Sequence, residues 1–180
     1  MRTLSALRLT PGDRVTVMRA GMGVVCGLLV VGTLLGALPE RNWPLFLLAV
    51  PTVLLDAVDG AVARATGTVT ERGARWDIAV DAAVLLTLSV ALVPIAPWVL
   101  VMGTARYLFL LVGRVRPVWL GELPFRQSRR LIGAFQAVVT VLALAPVVPV
   151  WLAQWATALA VALVVYSFAR DIQFLERSAS

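Results

Sequence analysis

Four aspartates, Asp56, Asp59, Asp77 and Asp81, lie inside or at the ends of two apolar runs long enough to cross a bilayer. One aspartate at the centre of a membrane helix costs about 2.5–3.5 kcal/mol on insertion scales. Four in one short stretch call for a compensating partner, and a divalent cation is the partner that also brings chemistry. Asp56, Asp59 and Ala63 follow i, i+3, i+7 spacing and share one helix face. Gly60 beside them removes side-chain bulk. Asp77 and Asp81 are i, i+4, one turn apart on a second helix. A short polar link, Thr66 to Arg72, makes the two helices antiparallel, so their faces can bring the four carboxylates together. The chain has no histidine, and its single cysteine, Cys26, sits in an apolar run. Oxygen ligands alone suit a hard cation, Mg²⁺ or Mn²⁺. Without histidine, acid–base work falls to the carboxylates as well.

The elements that must position these groups are apolar helices. Hydrophobic residues make up 60% of the chain and the mean hydropathy is +0.89, too apolar for a soluble globule. At 180 residues the chain reads as one domain. The apolar runs predict an all-α fold, a polytopic membrane bundle of six transmembrane helices, at roughly 15–38, 44–65, 74–93, 97–112, 131–147 and 150–168. The domain boundaries expected are a short cytoplasmic N-terminal segment at 1–14, the membrane domain at 15–170 and a cytoplasmic tail at 171–180. The competing reading of the first run is a cleaved signal peptide, against which its length counts. The pairs Gly23/Gly27 and Gly32/Gly36 have the small-residue spacing that lets membrane helices approach closely. One cysteine excludes an intrachain disulfide.

Every basic residue is arginine, and the arginines report topology. Fourteen of the sixteen fall at the N-terminal segment, the second-to-third link, the fourth-to-fifth loop, the tail or the adjoining span ends. With six spans all of these lie on one face, which the positive-inside rule makes cytoplasmic. Both termini and the aspartate link are then cytoplasmic, in the plasma membrane. Arg41 alone lies in a loop on the other face. Arg106 sits inside the fourth span, where an arginine is a functional candidate unless it snorkels to a headgroup. It could neutralise the carboxylates or hold an anionic substrate. Arg129 and Arg130 open the fifth span and Arg170 ends the sixth. These four arginines are candidate ligands for an anionic acceptor, although charge at the membrane edge explains Arg129 and Arg130 equally well.

The pattern Asp-x-x-Asp-Gly-x-x-Ala-Arg, eight residues, Gly-x-x-x-Asp-x-x-x-Asp resembles the signature of the CDP-alcohol phosphatidyltransferases. Asp56, Asp59, Gly60, Ala63, Arg64, Gly73, Asp77 and Asp81 fill every signature position, including the gap. The start of the first helix is also similar to an Asn-x-x-Thr-x-x-Arg pattern of many members, with Asp13, Thr16 and Arg19 in place and Asp replacing Asn. Arg14 and Arg19 equally suit arginines that mark the cytoplasmic membrane edge.

The resemblance implies transfer of a phosphatidyl-type group from a CDP-linked lipid to an alcohol, with release of CMP, in phospholipid biosynthesis. It implies metal ligation by Asp56, Asp59, Asp77 and Asp81, with Asp81 as the base on the alcohol, and two cations. Gly60, Ala63, Arg64 and Gly73 would flank the nucleotide. The partners expected are the CDP-linked lipid donor, the alcohol acceptor, membrane lipids and a second copy of the chain in a homodimer, with no nucleic acid. Glycerol-phosphate enzymes of the family often carry an Arg-Glu pair in the fourth span, whereas Arg106 is followed by Tyr107. Two other classes use intramembrane carboxylates. Aspartate-rich prenyltransferases have longer bundles with two separate motifs, and ion or proton transporters do not require the glycines, Ala63 and Arg64 at fixed offsets.

Overall fold

Proline, glycine and asparagine set the helix ends. In the computed structural model, which describes residues 11–66, 71–121 and 126–178, with the backbone alone over 11–14, 56–66, 71, 72, 74 and 120, the chain forms six α-helices. Helix α1 (Pro11–Leu34) opens on a proline, whose missing N–H is one that a first turn leaves unused. It stops at Gly36, which adopts a φ of 74°. That left-handed turn lets the Ala37 N–H reach the Gly32 carbonyl at 2.9 Å. Asn42 caps α2 (Trp43–Thr66), its Oδ1 accepting the Leu45 N–H at 2.9 Å. The Asn42 amide also donates to the Pro39 carbonyl at 3.1 Å and to Thr33 Oγ1 at 3.3 Å, tying the end of α1 to the start of α2.

Helix α3 (Glu71–Leu92) is followed by a 3₁₀ turn, Pro97–Val99, that leads into α4 (Leu100–Val115). A second such turn, Pro117–Leu120, lies between α4 and α5 (Gln127–Leu144), and α6 (Val150–Ser178) completes the chain. The helices alternate in direction. At one end, Trp98 at the start of α4 donates to Thr157 near the start of α6 at 3.2 Å. Gln154 donates to the Ile95 carbonyl at 2.8 Å, and Arg41 donates to the Ala145 carbonyl beyond α5. The first turn of α3, the start of α5 and the last turns of α4 and α6 lie at the other end.

Helix α1 packs on α2 and α3, α3 on α4, and α5 on α6, while α2 and α3 close against α5. Leu45, Leu88, Leu92, Val99 and Leu144 are buried at the centre. Gly23 lets α1 approach α3, because a Cβ there would stand 2.9 Å from Val84 Cγ2. Leu28, Leu47, Trp151, Trp155 and Leu159 are exposed on the outside, as expected where lipid replaces water as the solvent.

Six helices are present, but six membrane spans are not. Among the described residues, three helical segments are long and apolar enough to cross a membrane: Val15–Leu34, Pro97–Val115 and Val150–Ser178. This corrects the expectation of six transmembrane helices. Of α2, the stretch Trp43–Leu55 is an apolar helix, and the side chains of the motif residues that follow it lie outside the described residues. In α3 and α5 the shortfall has a physical cause. The first half of α3 carries Glu71, Arg72, Arg75, Asp77 and Asp81. Helix α5 opens on Gln127, Arg129 and Arg130 and carries Gln136 at mid-length. The protein is therefore a multi-pass membrane protein, with three qualifying spans among the described residues. At 29 residues α6 is about 44 Å long, more than the roughly 30 Å of a hydrocarbon core, so it continues beyond it.

Candidate active site

The first turns of α3 present Gly73, Asp77 and Asp81 at successive i, i+4 positions. Asp77 and Asp81 meet a cation supplied by α1. Arg19 is buried, with 1% of its side chain exposed, and its Nη1 donates to Asp77 Oδ1 at 2.7 Å. Its Nη2 stands 3.6 Å from Asp81 Oδ1. One planar guanidinium thus bridges two carboxylates a helical turn apart. The bridge is graded: Asp77 is 34% exposed and held closely, whereas Asp81 is 56% exposed and held at longer range.

Asp56, Asp59, Gly60, Ala63 and Arg64 lie in the last three turns of α2, and their side chains fall outside the described residues. The whole four-carboxylate constellation is therefore not in view. Among the described residues no three acidic, histidine or cysteine side chains converge on a point that could hold a metal. The pair in view nevertheless fits a hard divalent cation. Both groups are carboxylates and both are partly exposed, with the buried Arg19 beside them.

A second cluster joins α5 and α6 at the same end of the bundle. Asp171 is buried, and Arg129 Nη2 donates to its Oδ1 at 3.0 Å while Arg129 Nε stands 2.9 Å from Oδ2. Arg126 Nη1 lies 3.8 Å from Asp171 Oδ1, and its guanidinium carbon sits 5.3 Å over the Phe174 ring. Arg126, Ser128, Arg129, Tyr166, Ser167, Arg170 and Asp171 line one cleft. Of the four arginines that the sequence proposes for an acceptor, the cleft brings together Arg129 and Arg170. Arg130 is exposed at the start of α5 and does not line it. Arg106 is exposed at mid-length of α4, also away from the cleft lining.

The junction after α4 is tied to α6 by Glu176. It accepts from Arg116 Nε at 2.8 Å, Arg116 Nη2 at 2.7 Å and Trp119 Nε1 at 2.8 Å. The hydrogen bond and the charge of Glu176 raise the Arg116 guanidinium above its ordinary value. Two acids on the last turns of α6 therefore grip both ends of the basic connection between α4 and α5.

A family model for CDP-alcohol phosphatidyltransferase matches residues 12–166. The chain belongs to the CDP-alcohol phosphatidyltransferase family. No curated protein and no solved structure matches it. The general activity of this phosphatidyltransferase follows from membership, and with it the prenyltransferase and transporter readings fall away. The match takes in both halves of the aspartate motif and the α1 segment that carries Arg19.

Sequence reasoning placed Arg19 in a pattern at the start of α1 but missed its partner, and it passed over Asp171 and Glu176. A signal for the acids was present: Asp171 and Glu176 interrupt an end of the chain otherwise charged only by Arg170 and Arg177.

Proposed function

We propose that this phosphatidyltransferase moves a phosphatidyl group from CDP-diacylglycerol to the hydroxyl of a phosphate-bearing alcohol, releasing CMP. Inositol phosphate, glycerol phosphate and phosphatidylglycerol are acceptors of that class. The observation that carries the reading is the pair Asp77 and Asp81, bridged by Arg19 at the arginine-rich end of the bundle. Asp56, Asp59, Asp77 and Asp81 would hold two ions of Mg²⁺ or Mn²⁺. The chemistry such ions supply is charge neutralisation on the diphosphate and polarisation of the phosphorus under attack.

Asp81 takes the proton of the acceptor hydroxyl. Its greater exposure and longer distance from Arg19 favour it over Asp77 for that role. The acceptor oxygen then forms a bond to the lipid-bearing phosphorus, and the phosphorus–oxygen bond to CMP breaks. Gly60, Ala63 and Gly73 leave room for the nucleotide, and Arg64 pairs with a phosphate or a motif carboxylate. The exposed rim of the cleft lined by Arg126, Arg129 and Arg170 offers the guanidinium donors that an acceptor phosphate would take. The arginine-rich end faces the cytoplasm, where CMP can leave, both termini are cytoplasmic, and the working unit is a homodimer.

The test is an acceptor screen on the full chain in lipid nanodiscs with CDP-diacylglycerol and Mg²⁺ or Mn²⁺, reading CMP and the lipid product by mass spectrometry. CMP should appear with phosphate-bearing alcohols. Turnover with serine or choline, and none with phosphorylated acceptors, would overturn the acceptor class.

A further inference from the structure

The reading above leaves Arg19 without a task of its own, yet it is among the largest fully buried side chains in the protein. It sits on α1, three residues past Thr16, while the carboxylates it meets are on α3. Between the two helices there is little room. Gly23, one turn further along α1, faces Val84 of α3, so a Cβ there would lie 2.9 Å from Val84 Cγ2. Arg19 is therefore buried between its neighbours, with two carboxylates at its head.

A buried guanidinium presents its donors in a fixed plane. Asp77 is taken by one nitrogen at 2.7 Å, and Asp81 lies near the other at 3.6 Å. The hydrogen bond to Oδ1 orients the Asp77 carboxyl group, and the second nitrogen, an ion-pair distance from Asp81 Oδ1, draws that carboxylate toward the same guanidinium plane. Neither carboxylate is buried by the contact. Groups that orient metal ligands in this way commonly contribute ten- to a hundredfold in metal affinity or activity.

We infer that Arg19 is a positioning residue, which sets the orientation of Asp77 and Asp81 so that the pair can receive a divalent cation. The inference rests on the metal-dependent reading of the aspartates above. A residue that merely balanced buried charge would not need a bidentate shape, and a lysine would serve as well. Lysine is a point charge on a flexible stem and cannot span two carboxylates a turn apart in a fixed plane.

The experiment measures Mn²⁺ binding to the full chain in detergent, without substrates, by electron paramagnetic resonance, for wild type, Arg19→Lys and Arg19→Gln. Size-exclusion profiles and melting temperatures establish that each variant is folded. Affinity should fall by roughly tenfold or more in Arg19→Gln. Arg19→Lys should also bind more weakly than wild type, though less so. If Arg19→Gln does not fold, Arg19→Lys carries the test, because it keeps the charge and removes the fork. Wild-type or tighter affinity in a folded variant would overturn the positioning role and leave the metal-dependent reading intact. No Mn²⁺ binding by wild type would overturn both.

Discussion

Arg129 on α5 directs two of its nitrogens at Asp171 on α6, Nη2 donating to Oδ1 at 3.0 Å and Nε standing 2.9 Å from Oδ2. Asp171 is 10% exposed and Arg126 adds a third nitrogen at 3.8 Å. The arginine proposed for an acceptor phosphate thus has a fixed carboxylate partner. That contact orients its fork and offsets part of its charge. Arg170, next to Asp171 in sequence, lines the same cleft.

Removing the Asp171 carboxylate should therefore destabilise the α5–α6 contact. A fully buried pair broken from one side loses about 3–5 kcal/mol, but Arg129 is 37% exposed, which lowers the expectation to about 1–3 kcal/mol. Asp171→Ala should lower the melting temperature of the detergent-solubilised chain. Glu176→Gln should lower it less, because Arg116 is 62% exposed and water can replace the contact. Equal or reversed effects of the two substitutions would contradict this ranking.

Metal dependence follows from the donor set. Turnover should vanish when Mg²⁺ and Mn²⁺ are chelated and return when either is restored, since carboxylate oxygens accept both. Calcium, with longer bonds and looser geometry, should support turnover poorly. Undiminished CMP release in chelator would sink the proposal that the aspartates act through a cation.

The aspartates should divide in their kinetic signatures. Asp56→Asn, Asp59→Asn and Asp77→Asn should weaken metal and donor binding together, each being a proposed ligand. Asp81→Asn should reduce kcat while much of the donor affinity survives, because the proton acceptor is lost and most of the ligand set remains. Equal loss of donor affinity in all four variants would remove the separate base role for Asp81.

The aspartate spacing was legible because it is local: i, i+3 and i, i+4 relations within one helix need only the helical period. The six helices were legible from their apolar runs, although Gly36, read as a helix-packing residue, instead turns the chain after α1. Counting membrane spans failed because an apolar run and a spanning helix differ by where the charges fall. In α3 the first half carries Glu71, Arg72, Arg75, Asp77 and Asp81, so only its second half is continuously apolar. Arg19 shows the other limit. Its partner is 58 residues away on a different helix, and nothing local distinguishes an arginine at a membrane edge from one that bridges two carboxylates. Asp171 was hidden by the same reasoning, since topology is read from the arginines and takes little account of acids.

The last prediction concerns which arginine meets the acceptor. Arg106 was attractive because it lies inside an apolar helix, and the structure keeps it at mid-length of α4, in an exposed position. Arg170 is exposed too, but it lines the same cleft as Arg126 and Arg129. Charge-assisted contacts to phosphate are short, and arginine makes them bidentate. Loss of one typically costs about 1.5–3 kcal/mol, or roughly tenfold to a hundredfold in affinity. Arg170→Ala should therefore raise KM for the phosphorylated acceptor by that factor and leave KM for CDP-diacylglycerol nearly unchanged. Arg106→Ala should leave the acceptor KM closer to wild type. If instead Arg106→Ala raises the acceptor KM and Arg170→Ala does not, the acceptor phosphate binds along α4 and the α5–α6 cleft is a packing feature. If Arg106→Ala weakens metal and donor binding instead, its charge offsets the aspartates. Initial rates with each substrate varied separately distinguish the three outcomes.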